Sequence, residues 1–128
     1  MKAADLMIGD WVGRVFDDKR IIEDYRQVDW IRTGEIGMRY QKVWSIGCIE
    51  PIPLTPEILE KNGFWVMENV NNGAEEYIAY ATAGLMFHYN RDNDYYFPNT
   101  PISWKYVHEL QHALRLCRLD ELADNFKI

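Results

Sequence analysis

From Ile8 to Ile52, short apolar stretches alternate with turn chemistry, the pattern of antiparallel strands. Gly9-Asp10 leads into a first strand, Trp11 to Phe16, and Asp17-Asp18-Lys19-Arg20 supplies a polar turn. A second strand is expected over Ile21 to Ile31, a break at Thr33-Gly34, and a long third strand over Ile36 to Ile49. In that third segment Met38, Tyr40, Trp44, Ile46 and Cys48 share one face at period two, while Arg39, Gln41, Ser45 and Gly47 share the other. One face is core and the other is wetter.

Beyond Ile52 the pattern changes. Pro51-Ile52-Pro53 cannot form a central strand, because proline has no N–H to donate, so it reads as an extended connector. Thr55 is a good N-cap, Pro56 suits the first helical position, Glu57 favours the first turn and Asn62-Gly63 stops the helix. Phe64 to Val70 and Tyr77 to Ala81 then flank Asn72-Gly73, the strongest hairpin signal in the chain. A second hairpin is expected from Leu85 to Tyr89 and Tyr95 to Phe97, around Asn90-Arg91-Asp92-Asn93-Asp94. Thr100-Pro101 repeats the cap pattern and predicts a helix from Ile102 to Cys117, with Asp120 capping one last turn through Ala123.

The expected fold class is therefore α+β: a β-rich N-terminal part, then a short helix, antiparallel hairpins and a C-terminal amphipathic helix. One domain is expected over residues 1–128, with a β-rich subdomain at 1–53 and an α+β subdomain at 54–128 sharing its core. The opening Leu6-Met7-Ile8-Gly9-Asp10-Trp11-Val12 is similar to the start of small SH3-like barrels, which host several kinds of binding.

Composition narrows the classes. With 128 residues, 48% of them hydrophobic, the chain is long enough for a packed core without disulfides or metal. A net charge of −6, with Lys and Arg dispersed, leaves nucleic-acid binding unsupported. The N-terminus has no apolar signal region and no stretch reaches the ~20 apolar residues of a membrane span, so no membrane partner is expected and cytoplasmic residence is the default. Cys48 and Cys117 stand singly in apolar surroundings and read as buried free thiols. Asp92 and Asp94 suggest a calcium loop, but Phe97 and Ser103 occupy the positions where an EF-hand needs Gly and Glu.

The sharpest chemical string is His108-Glu109-Leu110-Gln111-His112, the H-E-x-x-H spacing. On a helix it can present His108 and His112 to one zinc ion, with Glu109 as general base on the bound water. A catalytic zinc also needs a third protein ligand. Arg115 and Arg118 stand where one extended zinc-peptidase pattern places Gly and His. Glu121 would lie about 13 Å further along a continuous helix, on the opposite side. Returning it requires a reversal that no glycine after Gly84 offers. His88 is the remaining imidazole. On a helical projection Tyr106, Val107, Leu110, Ala113, Leu114 and Cys117 form the apolar face, whereas His108, His112 and Arg115 lie opposite. Both histidines are therefore expected on a polar or partly covered face, with no cofactor; zinc belongs only to the hydrolase alternative.

Two segments, Ile49-Glu50-Pro51-Ile52-Pro53-Leu54-Thr55-Pro56-Glu57-Ile58-Leu59-Glu60-Lys61-Asn62-Gly63-Phe64 and Tyr106-Val107-His108-Glu109-Leu110-Gln111-His112-Ala113-Leu114-Arg115-Leu116-Cys117, together with the opening motif, resemble a family of small proteins encoded by prophages and mobile elements of Bacteroidetes. The family's helix often reads His-Glu-Leu-Gln-Asn where this chain has His112, and asparagine cannot replace an imidazole on zinc. The resemblance thus implies that Tyr106-Val107-His108 and Leu110 dock the helix. It favours a non-enzymatic accessory or interaction protein with a protein partner; a zinc hydrolase and a nucleic-acid-binding barrel are the alternatives. Trp11, Trp30 and Trp65 are read as core residues, with an exposed binding patch as the other possibility.

Overall fold

A computed structural model of the chain describes residues 1–15, 21–40, 42–90 and 94–128. Phe16, the turn Asp17-Asp18-Lys19-Arg20, Gln41, and Arg91-Asp92-Asn93 of the second hairpin lie outside the described residues. The elements are β1 Trp11–Val15, β2 Ile22–Arg32, β3 Glu35–Met38, β4 Lys42–Ser45, β5 Ile49–Glu50, α1 Pro56–Lys61, β6 Trp65–Asn71, β7 Glu76–Thr82, β8 Leu85–Tyr89, β9 Tyr95–Tyr96, β10 Ser103–Trp104, α2 Val107–Leu116 and α3 Asp120–Asp124. Among the described residues, two antiparallel five-stranded sheets and three short helices make the architecture α+β. Among the described residues no helix is long and apolar enough to cross a membrane.

The chain divides into two compact units, residues 1–53 with 106–126 and residues 54–105 with 127–128. The C-terminal helices thus belong with the first sheet, whereas the sequence places them with the second half.

In the first unit the strands run β4-β3-β2-β1-β5, all neighbours antiparallel. The single long strand expected over Ile36 to Ile49 is instead a hairpin, a single-turn 3₁₀ helix at Ile46–Cys48, and the short strand β5. Tyr40, which takes φ 67° at the turn, is 81% exposed. Pairing Ile36 with Trp44 puts both side chains into the core, where Met38 joins them; one unbroken strand would carry Trp44 beyond it. Leu6, Val12, Val28 and Ile49 complete this cluster. Trp30 does not join it. It lies half-buried over Gly37, its cross-strand partner, where a Cβ would come within 1.9 Å of the indole, and Arg32 covers the ring.

α2 starts at Val107, five residues later than the sequence predicts. Thr100 caps a turn instead of a helix: its hydroxyl donates to the Phe97 carbonyl at 2.8 Å and accepts from the Ile102 amide at 3.2 Å. Ser103 and Trp104 then pair with Tyr96 and Tyr95, a ladder that withholds them from the helix. At its other end α2 stops without glycine. Arg118 adopts φ 61° and the Leu119 amide reaches back to the Leu114 carbonyl at 2.9 Å, a Schellman closure. The reversal that the lack of glycine argued against is made by an arginine, and α3, whose N-cap is Leu119 rather than Asp120, folds back against α2. Cys117 is exposed by this ending and Cys48 is half-buried; both are free, and neither is the buried thiol expected.

In the second unit the cap logic of α1 holds: the Thr55 hydroxyl accepts from the Ile58 amide at 3.3 Å, and Gly63 takes φ 81° after the helix. The strand order is β10-β9-β8-β7-β6. The β6–β7 connection spans residues 72–75 and is wider than a two-residue turn, because the Asn72 side-chain carbonyl accepts from both the Ala74 and Glu75 amides. Phe64, Phe87, Tyr95 and Trp104 form its aromatic core, with Phe87 5.2 Å from Trp104 and 5.4 Å from Phe64 between ring centroids.

Candidate functional site

The chemistry-bearing residues of the first unit gather where the N-terminal segment meets α2. Met7 to Asp10 form a turn closed by the Asp10 amide on the Met7 carbonyl at 3.1 Å, with Gly9 at φ 94°. A side chain at Gly9 would be strained by that φ and would meet the Arg115 guanidinium at 2.9 Å. The turn docks on β2 through two backbone bonds, Gly9 N–H to the Val28 carbonyl and Val28 N–H to the Asp10 carbonyl, each 2.8 Å.

This places the Asp10 carboxylate in full burial against α2. One oxygen accepts from His112 Nε2 at 2.6 Å and from the Met7 amide at 2.8 Å, and the other accepts from Arg115 Nη1 at 2.7 Å. Arg115 also reaches the Ile8 carbonyl at 3.3 Å and the Asp124 carboxylate at 3.4 Å. A buried charge survives only when it is paired and its lone pairs are filled, and these three donors do both.

Gln111, also fully buried, makes a second tie. Its side-chain oxygen accepts from the Trp11 amide at 2.9 Å, and its Nε2 donates to the Gly9 and Ala123 carbonyls, each at 2.9 Å. Gln27 donates to the same Gly9 carbonyl at 3.1 Å and to the Asp124 carbonyl at 3.0 Å, and the Trp11 indole donates to the Phe126 carbonyl at 2.6 Å.

Each residue of H-E-L-Q-H can now be placed. Glu109 accepts the Tyr106 amide at 3.2 Å, the N3 half of a capping box. Leu110 is core, Gln111 ties three backbone groups, and His112 holds Asp10. His108 is only 6% exposed, more covered than the polar or partly covered face expected for it, and it lines a cleft together with Met1, Ala4, Asp5 and Met7 of the N-terminal segment. The imidazoles stand edge to face, 5.6 Å between centroids, and His112 Nε2 is turned to Asp10. Among the described residues no three His, Cys, Asp or Glu side chains are grouped to hold a metal ion. Glu121, brought round by the reversal at Arg118, borders a different surface hollow with Arg118, Leu119, Leu122 and Asn125. His88 sits in the second unit, stacked on Tyr77 at 4.1 Å. The sequence offers Asp10 only as a turn residue, Arg115 only as a polar-face residue and Gln111 only as a member of H-E-L-Q-H, and it does not point to Gln27; the polar Gln111 beside Leu110 on the buried face of α2 was the signal for its role.

Beside this network lies an open cleft of about 780 Å³, bordered by Asp5, Glu50, Tyr106, His108, Glu109 and His112. His108 is part of its wall, and its Nδ1 is buried without a hydrogen-bond partner. Burial pushes its pKa below the ordinary 6.5; the nearby Asp10, Glu109 and Asp5 charges pull the other way and are outweighed. Because the folded-state value is the lower one, the unfolded chain binds the extra proton. The neutral ring therefore favours folding fully above about pH 6.5, and this contribution is lost as pH falls toward the folded value. Urea titrations from pH 7.5 to pH 5 should show wild type losing stability faster than His108→Asn, by at most ~1.4 kcal/mol per pH unit. Parallel curves would remove the assignment.

Comparison with family models, with characterised proteins and with solved structures finds no match to this chain.

Proposed function

We propose that this chain is a non-enzymatic protein-interaction module, of the accessory kind carried by mobile elements, and that it receives an extended segment of its partner on strand β6. The observation that carries the reading is the exposure of Trp65, Val66 and Met67, at 54%, 55% and 54%, in succession along the edge strand of the second sheet. An edge strand offers a row of backbone donors and acceptors on its outer side, and natural sheets usually blunt such an edge with charge. Here Glu68 is the only charged residue in β6, and a register shift between Val66 and Glu68 is the only irregularity against β7.

Beside the strand, Pro56, Glu60, Phe64, Trp65, Val66 and Tyr80 line a hollow of about 380 Å³, suited to an anchoring side chain of an added strand. Glu68 stands at the middle of β6, so antiparallel pairing of two copies about that centre would oppose like charges. A different sequence, apolar at alternate positions and basic opposite Glu68, is favoured over a second copy. The internal use of His112 and Glu109 supports a non-enzymatic reading over a hydrolase. The first unit fits a small SH3-like barrel, supported by the return of β5 to β1 after a single 3₁₀ turn.

Selection from a random display library of ten-residue peptides tests this. Recovery of sequences with alternate apolar residues and a basic residue, which bind wild type and slow amide exchange at Trp65–Asn71, is the expected result. Met67→Lys should weaken that binding at least ~tenfold while leaving the folded spectrum intact. Peptides that bind Met67→Lys equally well, or a library that yields no common sequence, would overturn the proposal.

A further inference from the structure

We propose that Asn72 is a site of self-modification through a succinimide in the folded protein, and that the fold spares the other Asn-Gly pair, Asn62-Gly63. In this chemistry the backbone nitrogen of the following residue attacks the side-chain carbonyl carbon and gives up its proton to solvent. A C–N bond forms, the C–Nδ2 bond breaks and ammonia leaves. Water then opens the five-membered imide at either carbonyl, giving aspartate from one opening and isoaspartate, whose main chain runs through the former side chain, from the other. Glycine leaves the attacking nitrogen unhindered because it has no Cβ, so the sequence alone ranks the two pairs equally.

The structure separates them. At the end of α1 every participant is engaged: Asn62 Nδ2 donates to the Ile58 and Lys127 carbonyls, each at 2.8 Å, Oδ1 accepts from the Lys127 amide at 2.7 Å, and the Gly63 amide donates to the Glu60 carbonyl at 3.1 Å. Attack there must first break these bonds. At the β6–β7 connection both Asn72 and Gly73 are exposed, and the Gly73 amide has no hydrogen-bond partner among the described residues. Gly73 takes φ 85°, and a Cβ built on it would meet nothing within 4 Å, so the attacking nitrogen stands in open surroundings. Asn72 Oδ1 accepts from the Glu75 amide at 2.8 Å and from the Ala74 amide at 3.2 Å. Two donors on this oxygen polarise the carbonyl carbon and stabilise the negative charge that the oxygen takes up when the nitrogen adds. Either product adds a carboxylate to a tip that already carries Glu75 and Glu76, and isoaspartate also lengthens the main chain directly after Asn71, whose pairing with Glu76 ends the β6–β7 ladder.

The protein is aged at mildly alkaline pH, folded and in concentrated urea, and each site is read by chymotryptic peptide mapping, which separates the two at Phe64 and Trp65. In urea both asparagines should react at comparable rates. In the folded protein Asn72 should keep its unfolded rate within about threefold, whereas Asn62 should slow at least ~tenfold. The aged protein should then exchange its Asn71 and Glu76 amides faster than fresh protein. Freshly prepared Asn72→Asp, which carries the charge without the longer main chain and keeps a side-chain acceptor, should retain the slow exchange. Equal rates at the two sites in the folded protein, or an Asn72 rate that falls more than about tenfold on folding, would overturn the proposal.

Discussion

Asp10→Ala is expected to destabilise the folded protein by about 3–5 kcal/mol, the largest single effect available outside the apolar core. The carboxylate is fully buried, and its removal strands the Arg115 guanidinium, which is largely buried, against the backbone of residues 7–10. His112 and the Met7 amide lose their acceptor at the same time. Of the three losses the guanidinium's dominates, since it keeps only the more distant and exposed Asp124 carboxylate at 3.4 Å and the Ile8 carbonyl, and an under-compensated charge in a dry setting costs more than an unmade neutral bond. Urea denaturation read at the Trp fluorescence gives the number. A loss under about 1 kcal/mol would mean that Arg115 swings into water at little cost and that the buried pair is not what holds the N-terminal turn to α2. His112→Gln is the informative companion, because a glutamine amide reaches about as far as Nε2 and can still donate to Asp10. It should cost much less than Asp10→Ala, whereas a zinc-ligand role for His112 would make the same change abolish metal binding.

The second large effect is expected at Gln111. Replacement by alanine takes from the Trp11 amide its Gln111 acceptor, leaves the Ala123 carbonyl with only the backbone donors at the end of α3, and opens a cavity, together worth about 2–4 kcal/mol. The Gly9 carbonyl still has Gln27. Gln111→Glu is nearly isosteric and separates the contributions: it keeps an acceptor for Trp11 but turns the donor to Gly9 and Ala123 into a second acceptor. Because it also buries a negative charge, Gln111→Glu should be at least as damaging as Gln111→Ala at pH 7 and should recover in part as pH falls and the carboxyl protonates. A variant as stable as wild type across that range would show that the amide's polarity is unimportant there.

Much of the local structure is legible in the chain. Thr55-Pro56 and Asn62-Gly63 bracket α1, because a side-chain cap and a left-handed residue act within one helical turn. Thr100-Pro101 carries the same signal and is not a cap, since pairing of Ser103 and Trp104 with β9 claims the backbone first. The stretch from Ile36 to Ile49 alternates correctly, but alternation does not say where a strand folds back. That follows from Met38 and Trp44 needing the same core. Arg118 shows the limit of turn chemistry: packing of α3 on α2 holds a left-handed residue where no glycine invites one.

The candidate site divides in the same way. The spacing of His108, Glu109 and His112 on one helix follows from the sequence alone, as do the apolar role of Leu110 and the Gly9-Asp10 turn before β1. What each polar member does was settled by a partner about a hundred positions away: Asp10 for His112 and Arg115, and Trp11 and Gly9 for Gln111. Periodicity reads a helix against an average core and assigns polar residues to water. Only the tertiary structure showed that the N-terminal segment meets that face, where Asp10 engages His112 and Arg115 and Gly9 and Trp11 engage Gln111, beside an acidic cleft.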